Sequence, residues 1–187
     1  LSLSLSAKSG AFAHVTTQAS TVGPPARGGA ARHAVDVSVA EGATLEYLPD
    51  PLILFDGADA RASLDVSVAP GGRAIVADGL VLHRPGGGSV EAAFDNRVAI
   101  RWTDDGRSPL VEHQRAAGAA LRHALSLPTE PDRPLHYAAV YAVGAGDCAA
   151  VATAVREALA GLAAAARPRL SGVSAPADKG VVVARLR

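Results

Sequence analysis

The sequence is poor in several residue types whose scarcity excludes whole classes of protein. Cys148 is the one cysteine among 187 residues, so an intrachain disulfide and a cysteine-rich zinc cage are excluded. Lysine plus arginine number 18, as do aspartate plus glutamate, which leaves no net charge. A protein that binds nucleic acid or an anionic membrane through its surface charge needs a basic face. We therefore expect neither partner, and the single thiol is typical of a reducing compartment such as the cytoplasm.

Long hydrophobic runs are missing as well. The nearest candidate, residues 148–166, consists mostly of alanine and is interrupted by Arg156 and Glu157, so it is too weak to span a bilayer. No signal peptide precedes the first strand-like segment, and the expected location is cytoplasmic. A length of 187 residues suits a single domain over residues 1–187.

What the sequence does contain, over its first two-thirds, is an alternation of apolar and polar residues with a period of two. The alternation is visible in Leu1 to Leu5, Val35 to Val39, Leu64 to Val68 and Val98 to Trp102. Each of these segments predicts a strand with one buried face. Glycine-containing turns follow the last three, at residues 40–42, 69–72 and 103–106.

Part of this pattern repeats. Residues 36–42 (DVSVAEG) are echoed 29 positions later by residues 65–71 (DVSVAPG). A period near 30 built from strand, turn and strand predicts stacked β layers, each burying its apolar face on the next. The predicted fold is mainly β, with layered β-hairpins in a β-helix-like or sandwich-like arrangement and one or two α-helices toward the C-terminus.

The last third of the chain changes its period. Residues 135–143 form a continuous apolar run that predicts a buried strand, and residues 181–186 predict a final one. Between them, Asp147 can cap a helix over residues 148–166. The apolar stripe of this helix packs on the core or, alternatively, contacts a partner; it consists of Val151, Val155, Leu159 and Leu162. A short helix over residues 112–125 is also expected.

Catalytic chemistry is hard to find in the sequence. Residues 144–149 (GAGDCA) have the G-x-G-x-x-A form of a dinucleotide-binding turn between a strand and a helix. However, the rest of the chain lacks βαβ units, and Asp147 would place a carboxylate where phosphate should bind. The six histidines show no close pair, and no G-x-S-x-G elbow is present. We predict no catalytic residue and no metal site, and keep nucleotide binding through the Gly144-Ala145-Gly146 turn as an alternative.

Two segments nevertheless resemble a known family. Residues 15–19 read V-T-T-Q-A, and residues 45–49 read L-E-Y-L-P and are followed by F-D-G-A at residues 55–58. In this order and spacing the motifs are similar to those of the urease accessory protein D family, and similarity extends over nearly the whole chain. The residues that carry the family motifs are Thr16, Thr17, Gln18, Glu46, Tyr47, Pro49, Phe55, Gly57 and Arg84.

The chain also departs from the family pattern. Residues 21–25 replace a K-V-Y-R-like run, and Leu82-His83-Arg84 stands in place of Leu-Gly-Arg. Family members carry a Gly-rich segment before the position of Leu1 and a closing helix after that of Arg187. The resemblance therefore implies a single urease-accessory-like domain that is trimmed at both ends.

The resemblance implies a urease maturation factor that is not an enzyme. Proteins of this family are mostly-β scaffolds that bind apo-urease, recruit the accessory proteins F and G, and assist nickel insertion into the urease active site. No cofactor would be permanently bound, although nickel could pass through in transit. The alternative is a generic β-domain protein-interaction module, which would bind neither nickel nor the F protein.

The repeat further predicts how the motif segments are arranged. It places residues 15–19 beside residues 45–49, so that the polar side chains of the first segment can hydrogen-bond across the layer and to Glu46. Glu46, with Asp50 nearby, is the expected lining of a polar passage or buried network. The alternative for Glu46 is a salt bridge to Arg84.

Overall fold

The computed structural model describes residues 1–82, 90–125, 135–166, 171–176 and 180–186. Within these ranges the chain forms thirteen strands and two helices. The strands are β1 (Ser2–Ala7), β2 (Phe12–Thr16), β3 (Val22–Gly23), β4 (Ala31–Val39), β5 (Thr44–Leu48), β6 (Leu52–Leu54), β7 (Asp59–Val68), β8 (Arg73–Leu82), β9 (Ala93–Trp102), β10 (Leu110–Ala117), β11 (Leu135–Val143), β12 (Ser171–Ser174) and β13 (Val181–Leu186). The helices are α1 (Gly118–Leu125) and α2 (Cys148–Ala166). The predicted mainly-β fold is confirmed, and so are the three elements predicted after residue 134.

The strands are arranged in two sheets. Sheet A has the order β1-β4-β7-β9-β10. Sheet B has the order β12-β13-β11-β8-β5-β2, with β6 paired to β8 and β3 paired to β6. The first four strands of sheet A are parallel to one another, and so are β2, β5 and β8 in sheet B. The later strands β10, β11, β12 and β13 add antiparallel pairs.

The 29-residue echo in the sequence corresponds to direct strand pairing. Asp36 lies beside Asp65 and Val37 beside Val66, because β4 and β7 are neighbours in register. The turns at 40–42 and 69–72 each carry the chain from sheet A to sheet B, so they connect facing strands and not hydrogen-bonded hairpins. The turn at 103–106 does close a hairpin, between β9 and β10. Of the two predicted arrangements, the first 82 residues thus follow the β-helix-like one.

One predicted element is wrong in its first half. The sequence analysis predicts a helix over residues 112–125, but β10 occupies Leu110–Ala117 and only α1 is helical. The residues of β10 that point inward include Glu112 and Gln114, which are polar, so the alternation of apolar residues is hidden in this strand. β10 pairs with β9, with Leu110 opposite Ile100, and is the last strand on this side of sheet A in the described residues.

The core lies between the two sheets and is filled by small and branched side chains. Val37, Val66 and Ile100 of sheet A face Val76 and Tyr141 of sheet B, and each is at most 1% exposed. Helix α2 packs on β12 and β13, where it buries Ala152 and Leu159. Leu159 is therefore buried within the molecule, between α2 and sheet B, Val151 and Val155 are partly exposed, and the Leu162 side chain lies outside the described residues. In the described part of the chain, neither helix has the length and hydropathy that crossing a membrane would require.

Candidate functional site

The motif segments predicted to lie together do so. β2 and β5 are parallel neighbours, with His14 opposite Glu46 and Val15 opposite Tyr47. The Thr16 hydroxyl donates to the Leu48 carbonyl at 2.8 Å, which fastens the two segments beyond the backbone ladder. The Thr17 hydroxyl accepts a hydrogen bond from the Asp50 amide at 2.9 Å. These bonds hold the chain after β5 in place.

The expectation that Glu46 lines a polar passage or a buried network is wrong. Leu45 and Tyr47 point into the core, so Glu46 between them lies on the outer face of sheet B. Its carboxylate accepts from, or ion-pairs with, the His14 ring nitrogen Nδ1 at 2.8 Å, and not the threonines of the first segment. Arg84, the alternative partner, lies outside the described residues. Glu46 therefore does not line an interior passage.

A second group of motif residues forms a turn beside this pair of strands. Gly57 has a φ of 77°, which favours glycine, and its amide donates to the Glu91 carbonyl at 2.6 Å. The Phe55 carbonyl accepts from the Ala58 amide at 3.0 Å, which closes the turn. The F-D-G-A motif thus has a clear backbone role, since it ties the end of β6 to the start of β9. Gln18 is exposed.

A cavity of about 90 Å³ lies between the sheets, next to the motif segments. The cavity is partly open. One water requires roughly 10–15 Å³, so the cavity has room for more than one. Its walls include four residues from the motif region, namely Thr17, Tyr47, Pro49 and Asp50, together with His33, Asp78 and Asn96. Asp50, expected to accompany Glu46, is therefore at the cavity without it.

Asp78 and Asn96 form the polar inner wall of this cavity. The Asn96 amide nitrogen Nδ2 donates to Asp78 Oδ2 at 2.6 Å, which joins β9 of sheet A to β8 of sheet B across the core. Asn96 is 2% exposed. Burial raises the pKa of Asp78, and the Asn96 hydrogen bond opposes this shift only in part. Burial also raises the pKa of Tyr47, and the nearby charge of Asp78 adds to the shift.

Further polar side chains continue the inner wall toward β10. The Gln114 amide donates to the Tyr137 hydroxyl at 2.9 Å, and the Tyr141 hydroxyl donates to Glu112 at 3.0 Å. Glu112 is also ion-paired with Arg185. Burial raises the pKa of Tyr141, which is fully buried, so the hydroxyl stays protonated and acts as a donor. Together with Asp78 and Asn96 these groups form a polar interior that the sequence analysis missed.

The signal that could have found this polar interior is a polar residue in the apolar phase of a strand. Asp78 interrupts the buried series that runs from Val76 to Leu80, and Asn96 stands between Phe94 and Val98. A polar residue in such a position has to be hydrogen-bonded or to serve a ligand. Within the described ranges, no cluster of three or more His, Cys, Asp or Glu side chains could hold a metal ion.

The Gly-rich turn before α2 has a structural role: it caps the helix and is bonded to the residue before β13. The Asp147 carboxylate accepts from the Ala150 amide at 2.9 Å, so the predicted N-cap is confirmed. The Gly144 amide donates to the Gly180 carbonyl at 2.9 Å. The flanking strand β11 is antiparallel to both β8 and β13, which is not the βαβ setting of a dinucleotide site. Cys148 is partly exposed, and its thiol lies 3.6 Å from the Ala145 carbonyl.

Comparison with known proteins identifies the family. A family model described as UreD urease accessory protein matches residues 1–187. The Urease accessory protein UreD 1 of Methylorubrum extorquens (strain PA1) is 38% identical over 159 residues, which covers 81% of this chain and 51% of the relative. The Urease accessory protein UreD of Cupriavidus pinatubonensis (strain JMP 134 / LMG 1197) is 33% identical over 189 residues, covering 98% of this chain and 62% of the relative. The chain thus spans about half the length of the first of these relatives. It belongs to the urease accessory protein UreD family.

Proposed function

We propose that this protein is a urease maturation factor that works as a scaffold and not as an enzyme. In this role it binds apo-urease and the accessory proteins F and G in the cytoplasm and assists nickel insertion into the urease active site. The observation that carries the proposal is the match of the UreD family model to residues 1–187. Two sheets that are tied together across the core also suit a rigid platform for other proteins.

We propose that nickel in transit passes through the cavity between the sheets. Imidazole is a ligand that suits divalent nickel, and a carboxylate oxygen can add a second ligand; His33 and Asp78 supply one of each at the cavity wall. A passage has to release its cargo, so a few spread ligands serve it better than a closed site with several converging ones. Nickel is the cargo here, and no nickel would remain bound.

A urease activation assay with purified apo-urease, F, G and nickel tests this role. Asp78→Asn removes the carboxylate charge at the cavity but retains an oxygen that can accept from Asn96, so the fold should be kept. We expect activation at limiting nickel to fall several-fold, while co-purification with the F and G proteins is unchanged. The matched control is Asp36→Asn, on the exposed outer face of β4, which should activate like the parent chain.

Two results would contradict the proposal at different levels. If Asp78→Asn activates urease as well as the parent chain, the cavity is not the route of nickel. If the parent chain neither co-purifies with F, G or apo-urease nor supports activation, the maturation role itself fails. The generic interaction module would then be the better description of this domain.

A further inference from the structure

The internal repeat of the sequence places two arginines side by side on the outer face of sheet A. Residues 32–39 and residues 61–68 both read R-x-x-x-D-V-S-V. β4 and β7 are parallel and pair with this repeat in register, so Arg32 lies directly beside Arg61. Both side chains are exposed. Like charges on neighbouring strands repel each other, and an anion held between the two guanidinium groups would relieve this repulsion.

The same row of side chains continues over β9 and β10. Asp95 of β9 lies beside Arg61, and Arg115 of β10 lies beside Asp95. Neighbouring strands are about 4.8 Å apart, so these four residues, which we call the arginine row, extend over about 14 Å. The arginine row consists of Arg32, Arg61, Asp95 and Arg115. With three cations and one carboxylate, it has an excess of positive charge.

Asp95 does not neutralise the row, because several cations share its carboxylate. The His113 ring nitrogen Nε2 lies 2.7 Å from Asp95 Oδ1, and Arg115 Nε lies 3.8 Å from Asp95 Oδ2. Hydrogen bonding to His113 lowers the pKa of Asp95, and the charges of Arg115 and Arg61 lower it further. Arg32 lies one strand further away than Arg61. The least neutralised part of the row is therefore the pair of Arg32 and Arg61.

A recess lies on the surface at the other end of the row, between Arg61 and Arg115. Its volume is about 390 Å³, which is within the range of about 300–1,000 Å³ found for binding pockets. The lining includes the small side chains of Ala93 and Ala117 and the carboxylate of Asp59. The Arg115 side chain is 77% exposed. Long cationic side chains beside alanines leave space that a side chain of another molecule can enter.

We propose that the arginine row is a docking site for an acidic segment of a partner protein, an inference that rests on the proposed scaffold role. Guanidinium groups bind carboxylates through two parallel hydrogen bonds, and arginine is enriched in protein interfaces. One carboxylate of the partner would lie between Arg32 and Arg61. A second would enter the recess and contact Arg115.

The rest of the face favours a protein over a nucleic acid as the occupant. Asp36 and Asp65 lie beside each other, four residues along their strands from Arg32 and Arg61. At about 3.3 Å per residue, this is about 13 Å from the arginine row. A nucleic acid carries a phosphate on every nucleotide and would meet these carboxylates. An acidic segment of a protein can end before it reaches them.

Binding measurements with the proposed partners test the inference. Apo-urease, F and G are each titrated onto the immobilised chain and followed by biolayer interferometry. The Arg32→Glu/Arg61→Glu double variant should lose about tenfold or more in affinity for one of them, because it removes two charge-assisted contacts. The affinity of the parent for this partner should fall as the salt concentration rises.

Two further variants make the result specific. Arg32→Gln/Arg61→Gln adds no carboxylate beside Asp95 and should weaken the same complex, with an unchanged far-UV circular dichroism spectrum. The matched control is Arg73→Glu, which reverses an exposed charge at the start of β8 in sheet B. This variant should bind all three proteins like the parent.

The possible failures are distinguishable. If the parent chain binds none of the three proteins, the scaffold role fails and this inference fails with it. If the parent binds but the Gln double variant binds equally well, the scaffold role stands and the docking site lies on another surface. A short DNA duplex is the last probe, and binding of DNA by the parent that is lost in both double variants would assign the row to a nucleic acid instead.

Discussion

The carboxylate of Asp78 lies at the cavity wall, where it is bonded to the buried Asn96. Burial raises its pKa above the ordinary value of 3.8, although Asn96 donates to it. Between the ordinary and the raised pKa, the folded chain holds a proton that the unfolded chain has lost. The free energy of unfolding therefore contains a contribution that is present at acidic pH and is lost as the pH rises through this interval.

Asp78→Asn should remove that dependence on pH. Urea unfolding at a series of pH values is the measurement, and we expect the free energy of unfolding of the variant to fall less than that of the parent as the pH rises from 3.8. Asp36→Asn, which changes an exposed carboxylate, should follow the parent. Parallel curves for the parent and Asp78→Asn would show that folding does not raise the pKa of Asp78.

Close backbone approach at Gly144 gives a second prediction for single residues. Gly144 has a φ of 78°, and a Cβ there would clash with the Gly72 carbonyl. Gly10 has a similar φ of 70°, but a Cβ at that residue would meet no atom within 4 Å. Gly10→Ala should thus cost only the conformational strain, about 1–2 kcal/mol. Gly144→Ala should cost about 1–3 kcal/mol more, because the turn before α2 and the loop at Gly72 must separate.

The measurement for this glycine pair is chemical denaturation of both variants. Each should keep the same slope with denaturant and lower the midpoint, Gly144→Ala by clearly more. Equal midpoints would mean that the two backbones are not packed against each other at Gly72.

At the scale of elements, β10 shows how a strand can be held by polar contacts. Glu112 on its inner face bonds both the Tyr141 hydroxyl and Arg185, which links β10 to β11 and β13 of the other sheet. The Glu112 side chain is 15% exposed, and that of Arg185 is 39% exposed. Solvent therefore weakens the ion pair, but the Tyr141 hydrogen bond lies in the core.

A double-mutant cycle measures what this link contributes. With Glu112→Ala, Arg185→Ala and the double variant, we expect a coupling free energy of about 1 kcal/mol or more. The matched comparison is the pair of Asp105 and Arg107, which lies on the exposed turn between β9 and β10. Its coupling should be clearly smaller, because solvent screens an ion pair on the exposed surface. Equal couplings would mean that Glu112 does not bridge the sheets.

The same elements show what the sequence could predict. Alternation located β1, β4, β7 and β9, since the large apolar residues of each strand lie mainly on one face. It failed at β10, where Glu112 and Gln114 take inward positions, and it could not tell a turn between sheets from a hairpin turn. The residues of a turn predict that the chain reverses direction. Which strands pair with each other, however, depends on residues that are far apart in the sequence. For the same reason Asp78 and Asn96 were not recognised as a pair.

At the scale of the whole molecule, the strands of the stack differ in the number of neighbouring strands to which they are hydrogen-bonded. β7 is bonded on both sides, to β4 and to β9, and β8 is bonded to β5, β6 and β11. β1 and β2 end their sheets in the described chain and are bonded on one side only. The layer formed by β1 and β2 can therefore open while the central strands stay paired, and stability should rise from this end toward the middle.

Amide hydrogen exchange tests this gradient. At low protein concentration the amides of β7 and β8 should exchange slowest, near the rate set by global unfolding, and the outward amides of Ser2, Ser4 and Ser6 fastest. The Asp65 amide is the internal reference, since it lies in β7, which is bonded to a strand on each side. Uniform protection from β1 to β8 at low concentration would instead show that the stack opens as one unit.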